Sequence, residues 1–129
     1  MAMAVQASLI GTDRVVDRAL AIYGAHLERA IHVPLGEMVD REMSVDVTRL
    51  SVVAAGDSRV AEIMVDETVV CEQLTPAIWS LAEQGWKTTI VVPAPRLGEA
   101  HFALRGVPCR LQAWWEDSTR VCFGAHETP

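Results

Sequence analysis

The sequence predicts an α/β fold, bordering on α+β, with helices on a mixed sheet. Three observations carry that expectation. One helical apolar stripe fills Thr12–His32, β-rich runs begin at Val47, and from Thr75 onward helix-like and strand-like segments alternate. The 129 residues are half apolar and 22% charged. That suits one domain with its own core and not a disordered chain. The expected organisation is a flexible segment at 1–11, a single domain at 12–124 and a frayed tail at 125–129.

In the first helix, Val15, Val16, Ala19, Leu20, Tyr23, Leu27, Ala30 and Ile31 recur at steps of three and four, and Pro34 ends the pattern. Leu35–Met43 has the makings of a short second helix. Val47–Ala55 and Val60–Asp66 read as strands joined by Gly56-Asp57-Ser58-Arg59, and Thr68–Glu72 as a third antiparallel neighbour. Thr75-Pro76 opens a helix that Gly85 closes. Trp86–Val92 is a continuous β-branched run, as in a strand covered on both faces. Leu97–Arg105 follows as a helix. Pro108–Trp115 then alternates, with Cys109, Leu111, Ala113 and Trp115 on one face and Arg110, Gln112 and Trp114 on the other. Arg120–Gly124 returns as the last strand.

Seventeen acidic residues against ten Arg and one Lys give a net charge of −6, and no two basic residues are adjacent. This argues against a phosphate-binding face for nucleic acid and against a polybasic membrane patch. No apolar run reaches the roughly 18–20 residues that span a bilayer. Cys71, Cys109 and Cys122 sit in apolar segments as small hydrophobes, which points to a reduced, cytoplasmic setting.

The order helix, three-strand meander, helix, strand places Glu62 on the second predicted strand. Glu72 falls on the third, in Val70-Cys71-Glu72-Gln73-Leu74. Across Thr12–Val92 this order resembles the restriction-endonuclease-like nuclease superfamily. The resemblance implies that Glu62 and Glu72 would hold Mg²⁺ or Mn²⁺ at a scissile phosphate and activate a water. Leu74 stands at the family's lysine position, so the expected member is inactive or repurposed.

Other groupings read as follows. His26 and His32 are six apart and do not share a helical face, so with Glu28 they read as a surface ion pair with one partly buried histidine and not as a metal site. No nucleophile–base signature surrounds any cysteine. Arg96 and Gly98, at the start of a helix, are the candidate anion-binding residues. Trp114 and Trp115 must point to opposite faces of one strand, one into the core and one towards a homo-oligomer contact.

Three functions are therefore expected. The first is a non-enzymatic interaction protein without cofactor, self-associating and binding a partner macromolecule, such as a protein, through its acidic or tryptophan-bearing surface. The second is a metal-dependent nuclease or phosphodiesterase using Glu62 and Glu72. The third is a small-molecule binder at the carboxyl ends of the parallel strands, near Pro93–Gly98 and Trp115–Ser118.

Overall fold

The computed structural model describes the backbone of residues 2–129 and the side chains of residues 12–129. The flexible segment expected at 1–11 lies outside the residues whose packing is described. In chain order the elements are α1 (Ala2–Ala25), β1 (Ile31–Pro34), α2 (Val45–Thr48), β2 (Ser51–Ala55), β3 (Val60–Met64), α3 (Thr75–Glu83), β4 (Lys87–Pro93), α4 (Leu97–Ala103), β5 (Arg110–Asp117) and β6 (Arg120–Phe123). The six strands lie in sequence order in one sheet. β1–β2, β2–β3 and β5–β6 pair antiparallel, while β3–β4 and β4–β5 pair parallel across the α3 and α4 crossovers. The mixed α/β sheet is the predicted class. Among the described residues, no helix is long and apolar enough to cross a membrane.

The two faces of the sheet are covered differently. Val15, Val16 and Ala19 of α1 pack on Val53, Met64, Val91 and Val121. On the other face, Val47, Ala77, Ile78, Leu81, Ala100 and Leu104 cover a row that runs straight across the strands: Val52, Ile63, Ile90 and Leu111 are successive register partners and fully buried. The neighbouring row on the α1 face is polar over three strands, since Glu62 pairs with Thr89 and Thr89 with Arg110.

Four elements differ from expectation. First, α1 stops at Ala25, not at His32. Leu27 takes a left-handed φ of 57°, and its N–H bonds to the Gly24 carbonyl while the Glu28 N–H bonds to that of Tyr23. This is a Schellman closure with leucine where glycine is favoured, at a cost of about 1 kcal/mol. The apolar pattern that continues beyond it belongs to β1, which supplies the first strand of the meander. Second, Thr68–Glu72 is not a strand. Asp66 Oδ1 accepts from the Thr68 N–H at 2.8 Å and turns the chain, and a 3-10 turn at Cys71–Leu74 drives Cys71 and Leu74 into the core. Third, the strand expected from Val47 begins only at Ser51, because Ser44 caps the short helix α2. Fourth, the helix expected at Leu35–Met43 is a single turn at Leu35–Glu37. Gly85 does close α3, with φ +88° and paired bonds from Gly85 N–H to Ala82 and from Trp86 N–H to Leu81.

All three cysteines are free. Burial pushes the Cys71 thiol up to about 11, with Glu99 adding to the effect, and burial alone does the same for Cys109. Near pH 8 both should alkylate on the order of 100-fold more slowly than in the denatured chain. Mass spectrometry after a timed iodoacetamide pulse checks this, and equal rates in the two states would contradict it. Cys122 pairs with Trp115 across the β5–β6 hairpin.

Candidate functional site

A cleft of about 280 Å³ lies between the end of α1 and the sheet, lined by Ala19, Ile22, Tyr23, His26, Glu28, Glu62, Gln112, Phe123 and His126. Each element contributes for a local reason. Alternation along β3 sends Ala61 and Ile63 to the main core and leaves Glu62 facing α1. The closure at Leu27 ends α1 at the cleft, so Ile22 and Tyr23 hang over Glu62 from the last turn. His126 arrives from the C-terminal tail, which the Leu111–Glu127 bridge holds beside β5. Gln112 donates to the Gly124 carbonyl at 2.9 Å, which fixes its amide.

The electrostatics centre on Glu62. Burial raises its carboxyl above the usual carboxylate range, and the nearby Tyr23 hydroxyl and Arg110 guanidinium pull it partly back. Burial and the negative charge of Glu62 hold the Tyr23 phenol well above its ordinary value, so it serves as a neutral donor. Burial, aided by Arg110, lowers His126 and favours the neutral ring. Between Glu62 and Arg110 in the sheet, Thr89 is fully buried and its Oγ1 has no hydrogen-bond partner among the described residues. A perturbed carboxyl, a neutral phenol and a neutral imidazole line this one cleft, which makes it the candidate site. No three of the described His, Cys, Asp and Glu side chains come together as a metal-binding set.

Of the residues expected from sequence, only Glu62 belongs to this cleft. Glu72 is exposed on the 3-10 turn whose neighbours Cys71 and Leu74 enter the opposite core, so the two carboxylates do not converge. Arg96 is not open to an anion. Its guanidinium donates to the carbonyls of Asp66 and Val69 at 2.7 Å each and to Glu99 at 2.9 Å. Gly98 lies exposed on α4. Trp114 packs at the margin of the α1-side core. Trp115 points the other way, 43% exposed, with its ring edge over Gly124. Tyr23, Arg110 and His126 were not foreseen. Their only sequence signal is indirect: Arg110 falls on the polar side of an alternating strand, whereas Tyr23 looked like one more residue of a helical stripe.

Comparison with known proteins finds no family model, no curated protein and no solved structure that matches the chain.

Proposed function

We propose that the protein is a binding module that takes a small organic cation, an ammonium group on an apolar body, into the cleft beneath the end of α1. The observation that carries this reading is Glu62, a desolvated carboxyl that forms none of the ion pairs among the described residues. Removing a carboxylate from water is costly, and a bound cation offsets that cost. Glu28 adds a second negative charge to the lining, and the rings of Tyr23 and Phe123 lie within the same lining, where aromatic groups can stabilise a cation. Ala19 and Ile22 suit the apolar body. The volume lies just below the roughly 300–1,000 Å³ of sites for larger ligands.

Glu62→Gln tests the reading twice. A carboxyl raised in the folded state favours folding while protonated, and that benefit is lost as pH rises past the unfolded value of 4.5 towards the folded one. At pH 7 the Gln variant should therefore be more stable than wild type by about 1 kcal/mol, and the difference should vanish below pH 4.5. In a thermal-shift series, small alkyl- and arylammonium ions should stabilise wild type more than neutral isosteres do. Their affinity should fall at least about 30-fold in the variant. Equal affinity for both proteins, or no discrimination between amine and isostere, would sink the proposal.

A further inference from the structure

β1 is an edge of the sheet, and its free side is self-complementary. Ile31 and Val33 pair with Ala54 and Val52, and the Leu35 N–H bonds to the Leu50 carbonyl at 2.8 Å. These bonds turn the odd-numbered backbone groups inward. The N–H and C=O of His32 and the carbonyl of Pro34 therefore point away from the sheet. Unpaired edges of this kind are templates for another strand, and Pro34 removes only one donor. Beside the edge, on the face carrying α2 and α3, lies a trough of about 420 Å³ lined by Ile31, Val33, Met38, Ala54 and Trp86, with Arg29 and Glu37 among its charged residues. Ile31 is 55% exposed and Leu27 is 96% exposed. The positive-φ closure of α1 holds Leu27 there, although glycine would form the same turn without strain.

We propose that β1 pairs antiparallel with β1 of a second copy of this chain, about a two-fold axis at His32, so that one sheet runs through the dimer. In that register the two His32 residues exchange both backbone bonds, and the Ala30 N–H of each copy donates to the Pro34 carbonyl of the other. The N–H that proline lacks is the only donor missing from the pattern. Ile31 of each copy then faces Val33 of the other on the trough side, an apolar cross-strand pair. Antiparallel pairing also brings the Arg29 end of each strand to the Glu37 end of its mate, matching opposite charges at both ends of an isologous contact. Leu27 is carried to the same end, where Met38 lines the trough. The self-complementary bonds and charges favour a second copy over an unrelated extended peptide.

Sedimentation velocity from low to high micromolar concentration tests the contact. Wild type should be a dimer. Ile31→Lys, which places a charge on the apolar pair, should weaken it at least about 30-fold. His32→Pro should do likewise by deleting the two central donors. Both positions are exposed and the His32 N–H has no partner within the sheet, so circular dichroism should show the fold kept. A wild-type monomer at high micromolar concentration overturns the proposal. So does a dimer that survives both substitutions but dissociates in Trp115→Ser, which would place the contact on the β5–β6 hairpin.

Discussion

Ile90→Ala should destabilise the protein by about 4 kcal/mol, a large share of the 5–15 kcal/mol that holds most domains folded. Ile90 sits at the centre of β4, fully buried, between Ile63 of β3 and Leu111 of β5 in the row that all three helices of the main core cover. Parallel strands on both sides fix its backbone, so the surroundings have little freedom to collapse into the space left. The loss is therefore the transfer free energy of the missing carbons plus a cavity term. Ile90→Val, which removes one methylene, should cost about 1 kcal/mol. Urea unfolding checks both, with the midpoint falling and the slope unchanged. A loss below 1 kcal/mol for the Ala variant would mean that this row is not the centre of the core.

Arg96→Met should cost about 3 kcal/mol, although it keeps an apolar stem of similar length. The guanidinium closes the loop between β3 and the Cys71–Leu74 turn by donating to the Asp66 and Val69 carbonyls, and it anchors that loop to the start of α4 through Glu99. Without it, carbonyls that now accept charged donors lose them. Arg96→Lys should recover little, because a single ammonium cannot reproduce the planar fork. Arg96 holds the Glu99 carboxyl below its usual range. That contribution is present above the unfolded carboxylate pKa and is lost as pH falls. The gap between wild type and Arg96→Met should therefore narrow in acid. Unfolding curves at neutral and acid pH measure it, and a gap that widens in acid would refute the clamp.

The same arginine shows how far the sequence could be read. Its position before a helix suggested an anion site, because no local pattern reports that the loop 27–30 residues upstream folds back under it. Glu62 was legible as a chemical group, since a carboxylate inside a β-branched run is conspicuous. Its neighbours were not, because Tyr23, Arg110 and His126 converge from three separate parts of the chain. β1 was missed for a related reason. Four residues at a sheet edge, mostly exposed, carry little alternation, and Ala30 and Ile31 extend the helical stripe equally well. Thr68–Glu72 erred the other way. Val69 and Val70 have strand propensity, but the place beside β3 goes to β4, whose seven residues are almost wholly buried and offer more apolar surface.

By itself the sequence determined the α/β class, the single mixed sheet, the hairpin turn at Gly56–Arg59, the strand at Trp86–Val92 and the closure of α3 at Gly85. Each of these is encoded over a few consecutive residues by periodicity or by a residue with special backbone freedom. Only the tertiary structure decided which short β-branched segment joins the sheet, that Glu62 and Glu72 stand on opposite faces, and that Arg96 is spent internally. Those outcomes depend on competition for burial between segments far apart in the chain, and local propensity is too weak to settle it.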